Sequence, residues 1–252
     1  QVTSVEWDCN GFRALNLVGS FKFTRDWMLP ENDAGTILPA PSQVEARFGA
    51  RVASGGHFIL NLDMDRFQIP GAEGWSFFAD NAFIDYSDIE NPTGLTSALP
   101  ARYVHPAFSS SGMGNTWKGF YMQTLQVRTP ESFQSGGNRV SFAVRNMIVD
   151  DTGLSLSARA ENLLEWNGDG TNDFNGWSAS LDTVYLDIAQ NNFRQFGLNG
   201  KIGLPITETT QYLKYSAALC YGTEPVSETN QRSTTNSGEF NFVVNVKPAD
   251  NI

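Results

Sequence analysis

The sequence predicts an all-β fold: long, mainly antiparallel strands in a sandwich or an elongated β-stack, built from degenerate internal repeats. Three observations carry that expectation. Apolar residues recur at every second position along most of the long segments, the period of a strand rather than of a helix. The 23 glycines and 11 prolines gather in clusters that break the chain at short intervals. A phrase is spelled twice, GWSFFADNAFIDYSD at 74–88 and GWSASLDTVYLDIAQ at 176–190. With only 17% charged residues, the polar positions fall to Ser, Thr, Asn and Gly, which suit strands and turns better than helices. The expectation is one all-β domain over residues 1–252, or a fragment of a longer repeat protein, divisible into sub-units 1–115 and 116–252.

Taken in order, RALNLVGSFKF places Leu15 and Leu17 on one side, with Phe21 and Phe23 continuing it. PSQVEARFG at 41–49 is the best helical candidate, since Ser42 and Glu45 have capping-box spacing, with room for two turns at most before Gly49. Residues 158–166 have helix-forming composition, yet LSLSARAENL continues an alternation begun at Leu154 and Leu156, so a strand is expected. In GWSASLDTVYLDI, Leu181 and Tyr185 point one way while Val184, Leu186 and Ile188 point the other, as in a strand covered on both faces. QYLKYSAALCY and EFNFVVNVKP alternate cleanly, the second with Phe240, Phe242, Val244 and Val246 on one face. Turns are expected at SGG (54–56), PGAEG (70–74), SSSGMGN (109–115), QSGGN (134–138) and NGDGTND (167–173). SETNQRSTTNSGE at 227–239 reads as a surface excursion.

Aligning Gly74 with Gly176 matches Trp75 with Trp177, Ser76 with Ser178, Asp80 with Asp182 and Asp85 with Asp187. A third relative, SFAVRNMIVD at 141–150, shares Ser, Phe, Asn and the final Asp with SFFADNAFID at 76–85. Downstream, TGLTSA at 93–98 matches TGLSLSA at 152–158, and GLTSALP at 94–100 matches GLNGKIGLP at 197–205. A β unit cannot hide both faces of its own strands, and stacking similar units covers them mutually. The aspartates that end the apolar runs, Asp85, Asp150 and Asp187, read first as turn residues accepting backbone N–H bonds.

The phrases WKGFYMQTLQVRTPESF, NMIVDDTGLSLSA and GWSASLDTVYLDIAQNNFRQFGLNGKIGLPI, within residues 117–206, resemble repeat regions of very long bacterial β-rich proteins. Some of those are associated with phage-tail-like contractile injection systems. The resemblance implies a structural or surface role and carries no catalytic residues across.

A net charge of −10 without any Lys/Arg-rich run argues against a nucleic-acid partner. No apolar run approaches the roughly 18 residues of a membrane helix, so membrane insertion is not expected. The chain opens on Gln1-Val2-Thr3 with neither initiator Met nor signal peptide, as expected of a processed chain or of one cut from something longer. Cys9 and Cys220 are either a long-range disulfide or two separate thiols. Two histidines, His57 and His105, do not make a histidine-rich metal site.

Candidate sites are few. Asn167, Asp169, Thr171 and Asp173 alternate in NGDGTND, so their oxygens could converge on Ca²⁺, although Gly170 comes too early for an EF-hand and Asp-Gly is ordinary hairpin chemistry. Trp117 and Trp166, beside Gly/Asn-rich loops, are the tryptophans expected to be exposed for stacking on sugar rings. Carboxylates pair at Asp63/Asp65, Asp150/Asp151 and Glu161/Glu165, and a glycosidase needs two such groups roughly 5–10 Å apart. No nucleophile elbow, phosphate loop or zinc spacing occurs. The expected function is a non-enzymatic structural or adhesive β module of an exported bacterial protein, extracellular or at the cell surface, contacting protein neighbours or copies of itself. A carbohydrate-binding module, with Ca²⁺ in support, is the alternative, and a glycoside hydrolase a distant third.

Overall fold

The computed structural model describes residues 3–100, 103, 105, 107, 116–135, 138–166, 173–174, 177–203, 212–221 and 240–248. The first half supplies β1 (Ser4–Asp8), β2 (Gly11–Phe23), β3 (Leu29–Pro30), β4 (Val44–Ala53), β5 (His57–Gln68) and β6 (Ser76–Tyr86), then a single helical turn, α1 (Leu95–Ala98). The second half supplies β7 (Gly119–Arg128), β8 (Gln134–Ser135), β9 (Asn138–Arg139), β10 (Ser141–Asp150) and β11 (Gly153–Leu164). It closes with β12 (Asp173–Phe174), β13 (Trp177–Ser178), β14 (Leu181–Ala189), β15 (Asn192–Ile202), β16 (Leu213–Tyr221) and β17 (Phe240–Pro248).

The fold is all-β, as the alternation predicts. The hydrogen-bonded order is β1-β2-β4-β5-β6-β7-β10-β11-β14-β15-β16-β17, an antiparallel path in which β1 and β17 each have one neighbour among the described residues. β3 pairs with β5, and β8/β9 and β12/β13 are separate two-stranded ribbons. Sequential neighbours pair because short turns bring them together at little entropic cost. The chain divides into two compact units. The first comprises Gln1–Val127, Val144–Leu156 and Ala189–Asn191, the second Arg128–Ala143, Ser157–Ile188 and Asn192–Ile252.

In the first unit the register sorts side chains sharply by face. Cross-strand rows run Val5–Leu15–Val52–Phe58–Tyr86, Leu17–Ala50–Leu60–Ile84 and Gly19–Phe48–Leu62–Ala82. Every member is apolar. The alternate rows, Ser4–Asn16–Arg51–Ile59–Asp85 and Val18–Gly49–Asn61–Phe83, mix polar and apolar groups. The unit's core lies on this second face, where Phe83 packs with Leu95 of α1, Trp117, Tyr121 and Ile148. On the first face Phe48 lies over Gly19, where a Cβ would meet its ring at 3.0 Å, and stacks on Phe21 with centroids 4.9 Å apart.

The second unit repeats the sorting. Leu198–Ala217–Val244 and, apart from the Tyr215 hydroxyl that donates to the Ser180 carbonyl at 2.7 Å, Gly200–Tyr215–Val246 form apolar rows, against Asn199–Ser216–Asn245 and Lys201–Lys214–Lys247 on the other face.

The repeat is real at the level of backbone. Ser76 and Ser141 are buried at the start of their strands, and Asn81 and Asn146, at equivalent positions, have φ of 49° and 51°. Asp85 and Asp150 each accept the amide two residues on, from Ser87 at 2.9 Å and from Thr152 at 2.8 Å. Asp8 does the same with Asn10 at 2.7 Å, and the Asp-x-x-Gly turns at 8–11 and 150–153 both end on a glycine with φ of 112°. Only glycine adopts that angle without strain.

Three expectations are corrected. Residues 41–49 run into strand β4 instead of a helix: Ala46 and Phe48 are paired on both sides, and the amide of the would-be capping Glu45 donates to Asp65 Oδ2. TGLTSA and TGLSLSA share letters but not structure, one holding α1 and the other β11, so neither that match nor the one between GLTSALP and β15 extends the repeat. The third copy is offset by one pleat. Ser180, not Ser178, is the buried serine that matches Ser76 and Ser141, and the strand it opens ends at Ala189, leaving Asp187 inside β14. Of the two readings open for the cysteines, separate thiols is the one found: Cys9 is exposed in the β1–β2 turn and Cys220 is buried in β16, where burial raises its pKa.

Candidate functional site

Trp117 is not the exposed platform its loop-like surroundings suggest. It is 0% exposed, and its Nε1 donates to Asp150 Oδ2 at 2.9 Å. The Tyr103 hydroxyl donates to the same oxygen, while Thr152 gives its amide and hydroxyl to Oδ1 at 2.8 and 2.6 Å. Both carboxylate oxygens of Asp150 are thereby occupied. Gly119 makes room for the knot, since a Cβ there would lie 2.5 Å from the Val149 carbonyl and 2.8 Å from the Trp117 ring.

Next to it, His105 accepts the Ala107 amide at Nδ1 and meets Asp151 Oδ1 through Nε2, which fixes the proton of the neutral ring on Nε2. His105, Asp150 and Asp151 are the only His/Cys/Asp/Glu trio among the described residues whose ligand atoms converge, within 4.8 Å of one another. The donors already bound to them make the arrangement a structural clasp around the end of β10.

The polar face of the first unit carries two recesses. One, of about 300 Å³, lies beside Arg51, whose guanidinium bonds Glu90, Glu6 and Asn16. That contact holds the Glu6 carboxyl below its usual range. The other, a groove of about 480 Å³, gathers Glu31, Asp33, Asp63, Asp65 and Asp80 with Arg47 and Arg66. Asp63 accepts the Asn81 amide at 2.8 Å, and Asp65 binds Arg47 at 2.9 Å and the Glu45 amide at 3.1 Å. The Asp63/Asp65 pair thus spends its acceptors on the backbone bulge at Asn81 and on β4. Burial, and then the Asp63 charge, raise the pKa of Asp80. Arg66 crosses the groove, donating to Gln126 Oε1 at 3.0 Å and lying 4.7 Å from the Phe78 ring centroid.

Glu31 stands apart. It is 5% exposed, and neither carboxylate oxygen has a hydrogen-bond partner among the described residues. A buried acceptor of this kind is costly unless a donor reaches it. No pattern around Glu31 marks it in the sequence, because its burial depends on β3 folding back onto β5.

Of the remaining predicted residues, Trp166 is half-buried in the second unit and tilts against Tyr212 at 5.4 Å, with Lys201 over the Tyr212 ring. Asn167, Asp169 and Thr171 lie outside the described residues, as does 227–239; Asp173 is placed by its β12 pairing opposite Ser178.

No protein-family model matches the chain, no curated protein is significantly similar to it, and no solved structure matches its fold at significance.

Proposed function

We propose that the chain is a structural β module of an exported bacterial assembly, joining neighbours by strand pairing. The observation that carries this is the open sheet. β1 and β17 stand at the two ends of the pairing order, each bonded to one strand only among the described residues. Such an edge offers unpaired amides and carbonyls to a partner strand, and proteins that do not use an edge blunt it with charge, proline or a bulge. β17 presents Val244 and Val246, each 53% exposed, ahead of Lys247 and Pro248 at its end, so a partner strand would pair along Phe240–Val246. The aspartates that attract a catalytic reading serve turns and bulges, which supports the same conclusion. Sedimentation velocity tests it. The mass should rise with concentration for the native chain and stay at the monomer for Val244→Lys, which puts a charge on the edge. A native chain that remains monomeric at every concentration overturns the proposal.

A second reading, polysaccharide binding, is favoured by the acceptor-rich groove around Glu31. Titration calorimetry against a panel of soluble polysaccharides should show heat that Glu31→Gln reduces about tenfold in affinity or more, a loss of roughly 1.4 kcal/mol. No heat with any of them removes this reading.

A further inference from the structure

We infer that β15, β16 and β17 present a binding surface for an acidic polysaccharide, a sugar chain that carries carboxylate or sulfate groups. The surface lies wholly within the second unit, whereas the Glu31 groove belongs to the first. Its charge runs against that of the chain. The protein has 27 acidic residues to 17 Lys and Arg, yet these three strands contain Arg194, Lys201, Lys214 and Lys247 and no Asp or Glu. The register sets the three lysines side by side, so they leave one face at successive strand steps of roughly 4.8 Å. Lys214 and Lys247 are exposed and Lys201 is half-buried. Like charges aligned in this way cost stability, and a polyanion laid across the strands offsets the repulsion.

The surroundings of the row choose a sugar chain over other polyanions. The next row on the same face, Asn199–Ser216–Asn245, offers amides and a hydroxyl to sugar hydroxyls one pleat from the charges. The face closes on the two rows after that, where Ala218 and Cys220 are buried. What remains open is a strip with a charged row and a hydrogen-bonding row. On the other side of the lysines, Lys201 Nζ lies 5.2 Å from the Tyr212 ring centroid, and Trp166 tilts against Tyr212 at 5.4 Å. Gly203 makes room for this brace, since a Cβ there would lie 2.5 Å from the Trp166 ring. The ammonium thus sits where a nucleobase would stack on Tyr212. Three lysines are also few for a nucleic-acid backbone, which is commonly held by roughly 6–10 phosphate contacts. The net charge of −10 does not keep an acidic chain away at close range, because at physiological salt charges beyond roughly 8 Å are screened.

Titration calorimetry at low salt tests the inference. The native chain is titrated with polygalacturonate and dextran sulfate, and with their uncharged counterparts, methyl-esterified pectin and dextran. The charged chains should bind and the uncharged ones should not; if one charged chain alone binds, it names the acid. Lys214→Gln and Lys247→Gln should each weaken binding about tenfold, the worth of one charge-assisted contact, while Lys214→Arg retains it. Both Gln variants should keep the native strand spectrum in circular dichroism. Added salt should weaken binding by the native chain more than by Lys214→Gln. Failure of both charged chains to bind, equal binding of the uncharged ones, or full affinity in both Gln variants overturns the inference. So does equal binding of oligothymidylate or of phosphatidylserine vesicles, because charge alone is then read. Glu31→Gln should leave these heats unchanged, so this surface and the groove of the first unit can fail separately.

Discussion

Asp85 and Asp150 close the same kind of turn, yet only Asp150 has both oxygens bonded. Asp85 is 2% exposed, and its Oδ2 has no partner among the described residues. Burial pushes its pKa up from 3.8 to about 6, with the Glu90 charge adding and the Ser87 amide and Lys118 opposing. The folded chain therefore holds this proton more tightly than the unfolded chain. The resulting stabilisation is complete below about pH 3.8 and is lost as pH rises through 6. Asp85→Asn keeps the acceptor for the Ser87 amide and deletes the charge. It should gain on the order of 2–3 kcal/mol at pH 7 and almost nothing at pH 4, measured by urea unfolding at both. An equal gain at both pH values would show that the charge is not the cause. The turn role of these aspartates was legible because an Asx turn is made within three residues. The burial of Trp117 was not. Its neighbours in sequence are loop-like, and the side chains that enclose it, Phe83, Leu95 and Ile148, arrive from distant segments.

Alternation named most of the strands, and where local signals competed with pairing, pairing won. Ser42 and Glu45 have the spacing of a helix start, but β4 gains a bonded neighbour on each side as a strand and would lose both as a helix. TGLTSA and TGLSLSA show the converse, since the same letters give a helical turn after Gly94, at φ 87°, and a strand after Gly153, at φ 112°. The two-residue turn between β14 and β15 has positive φ at both Gln190 and Asn191, 51° and 62°, the geometry that suits a twisted hairpin. In the second unit Lys201, Lys214 and Lys247 stand side by side across three strands. Like charges directly opposite cost roughly 0.2–1 kcal/mol. Lys247→Glu should raise the unfolding free energy by that amount, read as a higher thermal midpoint, and the gain should fade in about 1 M salt, where screening acts within roughly 3 Å. A gain indifferent to salt would point to packing instead.

For the whole chain, the sequence announced which residues alternate but not which rows line up. Two strands with clean alternation can meet in either register, and a one-residue slip would have mixed Leu17 with Arg51. The apolar face is thus a product of pairing, and a search for long apolar runs passes over it because Asn16, Arg51, Asn61 and Asp85 interrupt the apolar residues of each strand. The same arithmetic governs how such a chain can lengthen. Ser76 to Asp85, Ser141 to Asp150 and Ser180 to Ala189 are equal steps, and the last two are followed by two-residue turns. A complete out-and-back pair can be copied into the gene, or lost from it, while every other residue keeps its side. An unpaired span would reverse the direction of every strand that follows, so descendants of this chain should differ by even numbers of crossings.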